Sequence, residues 1–287
     1  MPPDPTRRRF LGGAAALGTA AALGTAFVRA AESPASAGAP GSEAAGGKGV
    51  SVTPFDGASA AVTGVGASWY YTWASTTGDT ARPEGVEFVP MIWGADAVNG
   101  TDLGNATREG SQLLGFNEPD MAGQADMPAA RALELWPELE ATGLRLGAPA
   151  VAHSADKAGS WLDQFLTGAA ERGLRVDFVP VHWYGADFGP DAVDHLRGYL
   201  EAVHARWDKP LWLTEYALTD FTGSTPRYPS EAEQTAFVSS VVPMLNSLPY
   251  VERHAWFTLS TEVGPTGLCA PGGALNATGR AYRDAPA

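Results

Sequence analysis

The sequence predicts an α/β protein, a single-domain (β/α)8 TIM barrel, on three observations. Eight short apolar runs recur along the chain from Lys48 onward. Longer polar or amphipathic stretches separate them, the alternation that builds a parallel sheet covered by helices. Several runs are continuously apolar, as strands buried on both faces require. The 287 residues suit one barrel, and 45% hydrophobic residues allow a sizeable core.

The expected strands are residues 49–53, 67–73, 86–93, 112–117, 145–149, 176–183, 211–214 and 253–257. Between the later ones the connections read as helices. Residues 191–209 place Ala192, Val193, Leu196, Tyr199, Leu200 and Val203 on one face. Ser230, with Glu233 three residues on, forms a capping box ahead of Phe237, Val241 and Val242. Pro128 suits a helix start, and Pro137 is expected to kink or shorten that helix. Residues 74–85 are too few and too rich in turn formers for a helix, the weak point of the pattern. No Gly-x-Gly-x-x-Gly follows the first strand, which disfavours the open doubly wound alternative.

Ahead of the barrel, residues 1–37 read as a twin-arginine-type export signal. Thr6-Arg7-Arg8-Arg9-Phe10-Leu11 precedes an uncharged stretch of Ala, Gly, Leu and Thr, and small residues follow. Residues 38–47 read as a flexible linker and 48–287 as the folded domain. The expected product is a secreted bacterial protein with no stable membrane association after cleavage, acting as a monomer.

Composition removes several function classes. The net charge is −13 and no basic stripe exists outside the N-terminus, so nucleic acid is not an expected partner. The single cysteine, Cys269, excludes an intramolecular disulfide framework and multi-cysteine metal sites. The sequence contains no His-Glu-x-x-His, no Gly-x-Ser-x-Gly and no P-loop, so neither a metal nor a cofactor is expected.

What remains is a pair of carboxylates. Glu118 follows the fourth strand in Phe116-Asn117-Glu118-Pro119-Asp120, and Glu215 follows the seventh in Leu213-Thr214-Glu215-Tyr216. In a closed barrel both strand ends face one mouth. Two carboxylates across a cleft are what glycosidic bond cleavage needs, one as proton donor and one as nucleophile. Glu118 is expected to be the acid, with a raised pKa, and Glu215 the nucleophile. Asn117 beside the acid is placed to bond a sugar hydroxyl. Trp73, Trp93, Trp183, Tyr184 and Trp256 lie at or near strand ends, where flat rings stack on sugar faces. His182 ends the sixth strand and is a candidate to hold the nucleophile or a hydroxyl. Trp69 and Trp212 read as core, and Trp136, Trp161 and Trp207 as helix packing.

Five motifs, in order, resemble the catalytic domain of glycoside hydrolase family 128. They are Trp69-Tyr70-Tyr71-Thr72-Trp73, Phe88-Val89-Pro90-Met91-Ile92-Trp93, Leu114-Gly115-Phe116-Asn117-Glu118-Pro119-Asp120, Val181-His182-Trp183-Tyr184 and Trp212-Leu213-Thr214-Glu215-Tyr216. The resemblance implies a retaining endo-β-1,3-glucanase, with Glu118 as acid/base and Glu215 as nucleophile. It also implies substrate contacts from residues in these motifs, Tyr71 among them, and β-1,3-glucan as the partner. A β-1,4-glycan hydrolase using the same pair, and a glycan-binding barrel without catalysis, remain the alternatives.

Overall fold

A computed structural model describes residues 47–286. The segment read as an export signal, and the linker up to residue 46, lie outside the described residues. Strands and helices alternate: β1 (Gly47–Ser51), α1 (Ala58–Gly64), β2 (Trp69–Tyr71), β3 (Glu87–Phe88), α2 (Gly100–Glu109), β4 (Gln112–Leu113), α3 (Ala129–Glu140), β5 (Arg145–Leu146), α4 (Trp161–Glu171), β6 (Val179–Gly185), α5 (Ala192–Trp207), β7 (Leu211–Leu218), α6 (Glu231–Asn246), β8 (Val251–Trp256) and α7 (Ala277–Asp284). Each strand overlaps an expected one, and residues 74–85 form no helix. That loop is tied down instead by Ser75, whose hydroxyl donates to Asp102 at 2.5 Å.

Every strand pairing is parallel. One sheet has the order β3-β2-β1-β8-β7-β6, and β4 pairs with β5 separately. Two single bridges, Met91 with Leu114 and Gly147 with Phe178, run from the β4–β5 pair to the two edges of the larger sheet. Backbone bonds from Ile92 to Leu114 (3.1 Å) and from Ala148 to Phe178 (2.9 Å) accompany them.

The helices start where polar side chains satisfy the first free amides. Asn99 caps α2, Ser160 caps α4, and the Ser230–Glu233 capping box opens α6. Pro128 precedes α3 as its N-cap, and that helix ends one turn beyond Pro137.

Strand alternation sends Tyr70 to the large cluster shared with the helices, and Trp69 and Tyr71 to a second, aromatic cluster with Phe178 and Trp212. Gly49 is required there: a Cβ would lie 2.4 Å from the Trp69 indole. Arg253 lies 4.4 Å from the Trp212 ring centre and pairs with Glu87 at 2.7 Å, while Arg145 pairs with Glu252 at 2.8 Å.

A buried polar set docks α7. Lys48 donates to the carbonyls of Tyr282, Arg283 and Ala285 at 2.8, 3.2 and 2.9 Å, where a helix C-terminus favours a cation. Tyr282 donates to the Gly49 carbonyl at 2.6 Å. The Tyr216 hydroxyl and His254 Nδ1 are 2.9 Å apart. Burial first, and then the Lys48 charge, push His254 down to about 3, so the ring is neutral.

Candidate active site

The site is assembled from the ends of β4, β6 and β7. A register shift between Val181 and His182 places His182 opposite Glu215 across the β6–β7 pair. Beyond β4 the chain turns sharply at Glu118, whose φ of +43° lies in the left-handed region. Its amide donates to the Ala150 carbonyl at 2.7 Å. The result brings three side chains together. Glu118 Oε1 is 3.0 Å from His182 Nδ1, and that nitrogen is 3.6 Å from Glu215 Oε2. One ligand atom from each of the three lies within 4.8 Å of the others. Both glutamates are 1% exposed.

Glu215 sits among donors. Trp73 Nε1 donates to its Oε1 at 2.9 Å, and the Tyr184 hydroxyl donates to its Oε2 at 2.5 Å. The Tyr71 hydroxyl donates to the Thr214 carbonyl at 2.9 Å and reaches Glu215 Oε1 at 3.4 Å. Trp73 turns its indole to this task from a left-handed backbone, φ +56°. Burial, and then the charges of Glu215 and Glu118, hold the Tyr71 hydroxyl well above its ordinary range, so it remains a donor.

Above these groups opens a cleft with Glu118, Tyr184 and Glu215 among its lining residues and Phe221, Tyr228, Phe257, Thr219 and Thr266 beside them. Tyr184 meets Phe221 and Phe257 edge-on, at ring separations of 5.2 and 5.5 Å. Phe221 and Tyr228 belong to the loop between β7 and α6. An antiparallel bridge between Asp220 and Arg227 closes that loop. Asp220 accepts from the Thr222 hydroxyl and amide and from the Arg227 guanidinium, which together lower its carboxyl to about 2.

The residues expected from the sequence divide into two groups. Glu118, Glu215, His182, Tyr71, Trp73 and Tyr184 converge. Asn117 is adjacent but fully buried; its amide nitrogen donates to Gln124 Oε1 at 3.2 Å, and its Oδ1 has no partner among the described residues. Three tryptophans expected to meet substrate are not brought to this cleft. Trp183 alternates to the opposite face of β6 and stacks on Phe237 of α6 at 5.8 Å. Trp256 is fully buried, donates to the Thr266 carbonyl at 2.8 Å and packs on Tyr216. Trp93 is half-buried against the inner aromatic cluster. The sequence reading missed Phe221, Tyr228 and Thr266. They lie on loops after β7 and β8, where no strand periodicity marks them, and position after a strand end is the only signal.

Glu118, His182 and Glu215 also offer three donor atoms of a kind that ligates divalent cations. Sequence spacing does not reveal such a set, because each member comes from a different strand.

The sequence profile of a family described as "Glycosyl hydrolase catalytic core" matches residues 49–282. Among solved structures, the chain is similar to a subgroup I endo-β-1,3-glucanase of glycoside hydrolase family 128 from Amycolatopsis mediterranei, in complex with laminaritriose. That likeness has 58% identity and a TM-score of 0.82, covering 83% of this chain and 99% of the other. A subgroup II endo-β-1,3-glucanase of the same family from Sorangium cellulosum is 32% identical with a TM-score of 0.70, covering 83% of this chain and 98% of that one. The Alkali-sensitive linkage protein 1 of Schizosaccharomyces pombe is 28% identical over 229 residues, 76% of this chain; the chain spans 40% of that relative's length.

Proposed function

Because the chain belongs to the glycosyl hydrolase catalytic core family, we propose that it is a secreted endo-β-1,3-glucanase that cleaves with net retention, on a closed (β/α)8 barrel. The observation that carries this reading is the convergence of Glu118 and Glu215, whose oxygens approach within 4.8 Å across the floor of a cleft. Retaining pairs stand about 5–5.5 Å apart and inverting pairs about 6.5–9.5 Å, so an approach within 4.8 Å favours double displacement. The bridges from Met91 to Leu114 and from Gly147 to Phe178 support closure of the barrel.

In the first step Glu118 gives its proton to the glycosidic oxygen as Glu215 attacks the anomeric carbon, and the leaving chain departs with that proton. In the second, Glu118 takes a proton from water, whose oxygen displaces Glu215 and restores both side chains. Trp73 and Tyr184 hold the Glu215 carboxylate at its two oxygens, in place of water, and fix the direction of attack. These bonds also favour the catalytic reading of the cluster over a metal-binding one, since the donors compensate the charge on Glu215.

Linkage and endo action follow the relative from Amycolatopsis mediterranei, described as an endo-β-1,3-glucanase and crystallised with laminari-oligosaccharides. Its structures include substitutions at two glutamates spaced in that chain as Glu118 and Glu215 are here (215 − 118 = 97). Secretion rests on the Arg7-Arg8-Arg9-Phe10-Leu11 segment and the uncharged stretch behind it. The test is hydrolysis of laminarin against β-1,4-linked mannan and cellulose, with NMR of the first-formed anomer. Glu215→Ala is expected to abolish turnover and retain laminari-oligosaccharide binding. An active Glu215→Ala variant, or a first-formed α anomer, overturns the mechanism.

A further inference from the structure

His182 meets the Glu118 carboxylate, but the backbone that carries the acid needs support of its own. Glu118 adopts φ +43°, in a region that costs a non-glycine residue free energy. It also precedes Pro119, and the residue before a proline is pushed toward extended backbone. Such a conformation persists only when its surroundings fix it. The regular ladder of β4 ends at Leu113, and beyond it single backbone bonds continue the pairing, Asn117 N–H to Trp93, Ala150 N–H to Phe116 and Glu118 N–H to Ala150; past Glu118 they stop among the described residues. Two residues further on, Asp120 closes the gap. One oxygen of its carboxylate accepts from the Ala152 amide at 2.8 Å and the other from the His153 amide at 3.0 Å. The turn carrying Glu118 is thereby held at both ends against the segment after β5. Within the turn, Met121 N–H bonds the Glu118 carbonyl at 3.0 Å and Ala125 N–H bonds the Asn117 carbonyl at 3.1 Å.

We propose that Asp120 is the positioning residue of the acid/base: by clamping two consecutive amides of the β5 loop, it fixes the left-handed turn that aims Glu118 at the glycosidic oxygen. This rests on the reading of Glu118 as acid/base. Asp120 lies outside the carboxylate cluster and is absent from the cleft lining, so it acts through Glu118. Asparagine at 120 keeps the shape but offers one acceptor to two amides, so one contact of the clamp becomes repulsive.

The role separates from general structural support through the leaving group. A misaimed acid slows departure of a sugar alcohol, which needs the proton. It hardly slows departure of dinitrophenolate, which leaves without one. Asp120→Asn and Glu118→Gln are assayed on laminarihexaose and on 2,4-dinitrophenyl β-laminaribioside, comparing kcat/KM because it covers binding and the first chemical step and leaves out the second. Asp120→Asn is expected to lose about 10- to 100-fold on the hexaose, part of the general-acid contribution, and under threefold on the aryl substrate. Asp120→Glu, which keeps both oxygens, should recover part of the loss. Thermal unfolding checks that each variant is folded. Equal losses on both substrates, or no loss on the hexaose, overturn the proposal. If Glu118→Gln discriminates between the substrates while Asp120→Asn does not, the proposal fails and the acid/base reading stands. If Glu118→Gln itself loses equally on both, the acid/base reading falls and the proposal with it.

Discussion

Acidification should cost this protein stability through one side chain, His254. The ring is fully buried between β8 and α7, with Tyr216 at Nδ1 and the Lys48 ammonium nearby. Its Nε2 has no partner among the described residues, so a second ring proton would be buried without an acceptor. The folded pKa is about 3 against an ordinary value of 6.5. The unfolded chain therefore binds the extra proton first as pH falls, and stability rises with pH through the window from 3 to 6.5. The full window is worth about 5 kcal/mol at 1.36 kcal/mol per unit, and the part between pH 7.5 and pH 5 about 2 kcal/mol. Urea unfolding across that pH range measures the slope directly. His254→Asn, which removes the titrating ring, should flatten the curve between pH 7 and 5. Differencing against the variant removes the contribution of Asp120, whose carboxyl burial pushes upward and whose slope runs the other way. NMR titration of His254 near 6.5 in the folded protein, or an unchanged slope in the variant, refutes the account.

Other outcomes follow from the site and its frame. Tyr184→Phe deletes one donor to Glu215 and keeps the ring contacts with Phe221 and Phe257. The nucleophile loses one of the bonds that aim it, so kcat/KM on laminari-oligosaccharides should fall roughly tenfold or more, in proportion to its misplacement. Gly49→Ala forces a methyl into the Trp69 indole and should cost about 1–3 kcal/mol in denaturant unfolding. Asp220→Asn loosens the loop bearing Phe221 and Tyr228, and should raise KM for longer glucans more than it lowers kcat. Since the Asp220 carboxyl sits at about 2, the wild-type loop clamp should survive to pH 3, read from Phe221 and Tyr228 resonances.

The sequence made the architecture legible because strand position depends on runs of apolar residues, and those are local. All eight strands fell where the apolar runs stand, and the Ser230–Glu233 box set the start of α6. The two carboxylates were legible for the same reason: each directly follows such a run. Facing was harder to read. Tyr184 and Trp183 are neighbours in one strand, yet alternation sends one to Glu215 and the other to Phe237. A register shift, with Thr214 the extra residue of β7, sets which β7 side chain meets His182 and Tyr184, and no residue pattern announces it. Trp256 failed likewise, since its indole turns to the Thr266 carbonyl rather than to the cleft.

The same distinction governs what holds the two glutamates. Glu215 stands within β7, paired with His182 of β6, so its partners need only fix the carboxylate. Glu118 stands five residues past the end of β4, at a backbone angle it does not prefer, and is held by single backbone bonds and the Asp120 clamp rather than by a regular ladder. A site with one member on a ladder and one on a strained turn should respond unequally to perturbation. Changes in the β4 and β5 loops should damage proton delivery before they damage attack, whereas changes around Trp73 and Tyr184 should act on the nucleophile. Activated aryl substrates separate the two, because they dispense with the proton and still require Glu215.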